Sequence, residues 1–122
     1  MVWAPAKVVV NKMLAEAMLS YAEAVSLGLS REVLLGMIPG TAIAAPFLAG
    51  KAAKIKANDF ETEFPLQWMH KDLQMAAVTG FEQDVPLPLG NTAKEVYALA
   101  KQKGLAEFDF SAIYRFLSED GD

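Results

Sequence analysis

From Pro5 to Leu27 the chain runs without a glycine or a second proline, rich in Ala, Leu, Met and Glu. Those are strong helix formers, and the run dictates one long helix. Pro5 suits a first helical turn, where its missing N–H is no loss. Gly28 suits the stop, because only glycine enters the left-handed region freely. The run is long for a globular helix. It is apolar on more than one face, so it should be buried among several neighbours. Val8-Val9-Val10, the single β-branched run, lies inside this helical pattern. An all-α fold follows, with one long opening helix packed by about five shorter ones.

The remaining helices are read from their punctuation. Ser30 should cap a second helix over 31–38. Pro39-Gly40 is a turn, and Thr41 opens a third helical segment, kinked or restarted at Pro46. Lys51, Lys54 and Lys56 fall towards its end, where cations suit the helix dipole and a solvated face is expected. Pro65 starts a fourth helix reaching about Glu82, with a core stripe of Leu66, Met69 or His70, Leu73, Ala76, Ala77, Gly80 and Phe81. A second line, Phe64, Trp68, Lys71 or Asp72, and Met75, sets opposite charges among large apolar groups. Thr92 to about Lys103 reads as a fifth helix stopped by Gly104, and Asp109 as the cap of a last one over 110–117. The acidic tail from Ser118 to Asp122 should fray.

The 122 residues fit one domain, and 53% hydrophobic content is ample for its core. A net charge of −4 argues against a general nucleic-acid binder. Cysteine is absent, which removes disulfides and thiolate metal sites, and one histidine makes a zinc site unexpected. A reducing cytoplasm is compatible, and the first residues do not read as a signal peptide. Residues 33–50 carry no charge. Gly36, Pro39, Gly40 and Pro46 would break a lipid-exposed helix, so no membrane span is expected there. Two short buried helices with a tight turn are expected instead. There is no glycine-rich turn after a strand, no P-loop and no nucleophile elbow. Glu16 and Glu23 are carboxylates of the kind helices carry routinely.

One pair of residues carries chemistry. Lys7 and Asn11 are spaced i, i+4, which sets both polar tips on one helix face a turn apart. Val8, Val9, Val10, Met13 and Leu14 surround them. An amine among such neighbours has its charged form disfavoured, as a general acid/base near neutral pH requires. Asn11 offers both a donor and an acceptor for a substrate hydroxyl or carboxylate. The competing reading is a lysine snorkelling from a helix end beside a solvated asparagine.

Three segments, in order and with fitting spacing, resemble the C-terminal helical domain of the β-hydroxyacid dehydrogenase family. They are Lys7-Val8-Val9-Val10-Asn11 leading to Ala22-Glu23-Ala24, Phe64-Pro65-Leu66 leading to Lys71-Asp72-Leu73, and Asp109-Phe110-Ser111-Ala112. The Lys7–Asn11 gap and the Phe-Pro-Leu before Lys-Asp look closest to the glyoxylate/succinic semialdehyde reductase branch. The resemblance implies a helical domain like the 6-phosphogluconate dehydrogenase C-terminal type. It implies that Lys7 is the catalytic lysine, that Asn11 positions substrate, and that Phe64 forms an active-site wall. It also implies that Lys71 and Asp72 stand near the nicotinamide end of an NAD or NADP cofactor. A Rossmann domain of roughly 160 residues, with its phosphate-binding glycines, precedes this domain in the family. These residues carry none, and Trp3-Ala4-Pro5-Ala6 replaces the usual glycine-containing lead-in. The expectation is a chain inactive alone and binding no cofactor by itself, completed by a Rossmann domain in cis or trans. A small hydroxy acid or aldehyde would be its substrate. The alternative is a helical oligomerisation module, dimeric or larger, associating through Trp3, Val8, Val9 or Val10. In the isolated chain Lys7 should be hydrated.

Overall fold

The computed structural model describes residues 3–118. Trp3 as an exposed apolar side chain and the fraying of 119–122 lie outside what it describes. The elements are helices, in the order α1 (Trp3–Val25), α2 (Arg31–Met37), a 3-10 turn (Ile38–Gly40), α3 (Leu48–Ala57), α4 (Leu66–Glu82) and α5 (Pro88–Ala100). A π turn (Lys101–Leu105), a second 3-10 turn (Phe110–Ala112) and α6 (Ile113–Ser118) complete it. Among the described residues the only β pairing is one isolated bridge, Pro65 with Asp109. The all-α expectation is met.

α1 is the spine. It buries Ala15, Met18, Leu19, Tyr21, Ala22 and Val25, a pattern broad enough to touch α2, α4, α5 and α6. The largest fully buried side chains, among them Tyr97, Met18, Ile55, Leu66, Met69, Leu73 and Ile113, form one core around it. Tyr97 brings a hydroxyl into that core and donates it to the Ala15 carbonyl at 3.0 Å, since a buried O–H needs a partner. Burial, and then the nearby Asp109 carboxylate, push the Tyr97 phenol above its ordinary range.

Several boundaries depart from the sequence reading. Ser30 caps α2 as expected, its hydroxyl accepting from the Val33 N–H. Residues 41–47 form turns, and α3 begins only at Leu48. Pro46 and the uncapped run before it favour turns over a continuous helix. Residues 33–50 are not two buried helices. Leu35 and Leu48 are buried, but Val33 and Met37 are exposed and Ile43 is 91% exposed. A seven-residue helix buries one side only, and apolar residues left over stay on the surface. α5 starts at Pro88 rather than Thr92, with proline in its first turn. Gly90 therefore lies inside the helix. A Cβ there would come within 2.8 Å of Lys12 Cε and 3.3 Å of Glu16 Oε2, so a larger residue would have to displace the Lys12–Glu16 pair. Gly104, at φ 92°, ends the helical run as expected. Phe81 leaves the core stripe of α4 and is 87% exposed, while Gly80 beside it stays buried against Leu87. No helix of the described residues is long and apolar enough to cross a membrane.

Candidate functional site

α1 and α4 share a long seam, and at its edge the two chemistry-bearing segments meet. Asn11 Nδ2 donates to Asp72 Oδ2 at 2.7 Å, joining residues 61 apart in sequence. Both side chains are part-buried, so the bond is shielded without being sealed. Lys7 sits one turn before Asn11 on the same face of α1 and is exposed. The hydrated ammonium expected for the isolated chain agrees with that exposure. On α4, Lys71 Nζ stands 5.1 Å from the centroid of the Trp68 ring. A cation over an indole face is attracted by its quadrupole. Trp68 lies one turn before Asp72 and is 47% exposed. Asn11 and Asp72 thus join an open ledge, flanked on α1 by the exposed Lys7 one turn before Asn11 and on α4 by the exposed Lys71 and Trp68.

Phe64 departs from the expected line. It precedes α4, whose N-cap is Pro65 in extended conformation, so it does not share the helical stripe of Trp68 and Asp72. Its ring packs edge-on against Phe110, centroids 6.1 Å apart, and is part-buried. What holds Phe64 is backbone. Its N–H donates to Asp109 Oδ1 at 3.1 Å and its carbonyl accepts from the Phe110 N–H at 2.9 Å.

Asp109 is the centre of a second constellation that the sequence reading reduced to a helix cap. It does cap the turn at Phe110–Ala112, accepting from the Ser111 N–H at 3.0 Å. It also accepts from the Ser111 hydroxyl, from the Glu63 N–H at 3.0 Å, and from Lys51 Nζ at 3.0 and 3.2 Å. The carboxylate is 0% exposed. Burial pushes its carboxyl up. The hydrogen bonds from Ser111, Lys51 and Glu63 outweigh that and hold it below the usual carboxylate range.

Lys51 corrects the expectation of a solvated helix end. It is 7% exposed and pairs with Asp109, with Glu63 Oε1 at 3.1 Å, and with the Phe110 ring face at 4.7 Å. Lys54, three residues on, reaches the Glu61 carbonyl at 2.6 Å. The missed signal was spacing. A lysine with alanine and isoleucine at i+1 and i+4 lies on the buried side of α3.

Two further titratable groups, His70 and Glu16, are engaged by neighbouring lysines. His70 on α4 meets Lys101 on α5, with Nζ 3.3 Å from Nδ1. Burial first, and then the Lys101 charge, lower its pKa, so the ring is neutral at neutral pH and can accept from the ammonium. Glu16 is closed into an i, i+4 pair with Lys12 at 2.7 Å. Among the described residues no cluster of three or more His, Cys, Asp or Glu could hold a metal ion.

The family model described as NAD-binding of NADP-dependent 3-hydroxyisobutyrate dehydrogenase matches residues 4–117. Glyoxylate/succinic semialdehyde reductase 1 of Arabidopsis thaliana is 31% identical over 111 residues, covering 88% of this chain and 38% of its own length. The human protein called cytokine-like nuclear factor N-PAC is 32% identical over 88% of this chain, which spans 20% of it. The crystal structure of a 3-hydroxyisobutyrate dehydrogenase from Salmonella typhimurium superposes with a TM-score of 0.85. That match covers 92% of this chain and 41% of that one, at 22% identity, and speaks for the fold. The chain spans well under half the length of each. The segments that first suggested a relationship, the ledge they form across α1 and α4, and the family match over almost every residue agree: the chain belongs to the β-hydroxyacid dehydrogenase family.

Proposed function

We propose that this chain supplies the lysine-bearing, substrate-side half of an NAD(P)-dependent reductase or dehydrogenase of small hydroxy acids or aldehydes. The observation that carries the reading is the Asn11–Asp72 hydrogen bond. It ties the segment expected to handle substrate to the segment expected to meet the cofactor. Lys7 gives or takes the proton at the substrate oxygen, the role its place beside Asn11 suits. Asn11 orients a substrate hydroxyl or carboxylate with whichever amide hydrogen Asp72 leaves unused. Lys71, Asp72 and the neighbouring indole fit the ring end of a nicotinamide dinucleotide, and Phe64 walls the site from the start of α4. When bound, that dinucleotide supplies the hydride. These 122 residues carry no glycine-rich turn to cradle its pyrophosphate, so the chain alone is inactive and needs a Rossmann domain in cis or trans. Cytoplasmic location suits such a chemistry and a cysteine-free chain.

The test is turnover. The purified chain with NADPH and glyoxylate or succinic semialdehyde should show none. Adding the nucleotide-binding half of the Arabidopsis reductase in trans should restore it, and Lys7→Ala should abolish it. Turnover by the chain alone, or rescued turnover indifferent to Lys7→Ala, would contradict the reading.

A second reading is a helical interaction module descended from such an enzyme. It is favoured by the outward face of α1, where Val9, Val10 and Met13 are all exposed. On this reading the chain pairs as a homodimer or larger oligomer through its long helix. A monomer by light scattering at micromolar concentration would count against it.

A further inference from the structure

The first turn of α4 has no side-chain cap, since its N-cap residue is Pro65. Four N–H groups at a helix start need partners from elsewhere. Trp68 N–H turns back to the Pro65 carbonyl at 2.9 Å, and two others find partners far along the chain. Leu66 N–H donates to the Phe108 carbonyl at 2.8 Å and Gln67 N–H to the Ala106 carbonyl at 3.0 Å. The two residues before Pro65 are held from the same side, with the N–H groups of Glu63 and Phe64 both on Asp109 Oδ1. Asp109 N–H returns a bond to the Phe60 carbonyl at 2.9 Å, and Phe110 N–H one to Phe64. The segment from Ala106 to Ser111 therefore grips both the approach to α4 and its opening turn.

We infer that Asp109 is a positioning residue for the ledge. Its buried carboxylate, neutralised by Lys51 and fastened by Ser111, fixes the backbone at Glu63 and Phe64. This sets where the Phe64 ring lies and the register at which α4 presents Trp68, Lys71 and Asp72 to Asn11. Asp109 touches no atom of the ledge itself. It acts through Phe64 and the axis of α4, which is rigid over the two turns from Leu66 to Asp72. The functional importance of the ledge rests on the reading proposed above, but the mechanical link does not.

Two measurements separate them. In the first, the isolated chain is labelled with nitrogen-15, with the indole signal of Trp68 assigned by Trp68→Phe and the side-chain amide of Asn11 by Asn11→Asp. Asp109→Asn keeps shape and removes charge. It should move both signals. Ser111→Ala, which removes one donor to the same carboxylate, should move them less and in the same direction. If Asp109→Asn folds and leaves both signals in place, the inference falls. If Asp109→Asn does not fold, an unmoved spectrum for Ser111→Ala overturns it instead. In the second, turnover is measured with the nucleotide-binding half supplied in trans. Asp109→Asn should raise the KM for NADPH about tenfold with kcat within about twofold. A fall in kcat with KM unchanged, as from a smaller folded fraction, would overturn the positioning role. An assembled wild type that fails to turn over would sink the proposed function and leave the first measurement standing.

Discussion

Two polar constellations in this fold differ in how they meet water. The group around Asp109 is sealed, with every carboxylate oxygen occupied and its cation buried beside it. The ledge around Asn11 and Asp72 is open, with Lys7, Lys71 and Trp68 facing outward. A sealed set of charges is fully satisfied by the chain itself, so it can only hold structure. An open set has donors and acceptors left over for a ligand, which is what a binding surface needs. The same residue types, lysine with aspartate, thus serve two ends, and burial decides which.

The contrast is broken most directly by Asp109→Ala. It strands Lys51 in the core, and stability should fall by about 3–5 kcal/mol, measured by urea unfolding. A loss below about 1 kcal/mol would mean that Lys51 escapes to water and the cluster is not sealed. Leu73→Ala calibrates the apolar core between the two sites. It removes a nearly fully buried side chain from the α1–α4 seam and should cost about 2–5 kcal/mol. On the open side, Asp72→Ala removes one half-shielded bond and should cost about 1 kcal/mol in the same assay. Lys7→Ala should change stability by no more than about 0.5 kcal/mol while removing rescued turnover. A large stability loss from either ledge variant would erase the distinction.

Two titratable groups, one of them outside both regions, respond differently to acid. His70 has its folded pKa lowered by burial and by Lys101. Its neutral form is the one the fold prefers. Its contribution is fully present above its unfolded value near 6.5 and erodes as pH falls below that. His70→Gln should flatten stability between about pH 6.5 and 5 in a thermal-melt series. Asp109, held below the usual carboxylate range, loses its contribution only at more acidic pH, as pH falls through its folded pKa.

Local signals told a large part of this in advance. The span expected from Pro5 to Leu27 comes within two residues of α1 at each end, Ser30 caps α2, Pro65 precedes α4, and Gly104 ends the fifth helical run. The i, i+4 spacing of Lys7 and Asn11 needs only a helix, and a helix is there. What stayed hidden was long-range. Lys51 finds Asp109 across 58 residues, and no local pattern announces an ion pair at that separation. Phe81 fits the stripe of α4 by periodicity, yet periodicity does not say where the core stops. Phe64 fits a helical line with Trp68 on paper. The extended Pro65 breaks that line, and the grip of Asp109 replaces it. The Asn11–Asp72 contact lay between these cases, with both residues singled out by resemblance and only their meeting left to the tertiary fold.

The dependence of α4 on the Phe108 and Ala106 carbonyls has a consequence for how the molecule comes to be. A chain emerging from the ribosome releases α4 well before the segment that completes its opening turn. The spine and the middle helices can gather early, but the helix bearing Lys71 and Asp72 waits for residues translated much later. The opening turn of the helix that carries the ledge is therefore closed only after Phe108 has been made, some 40 residues after Leu66.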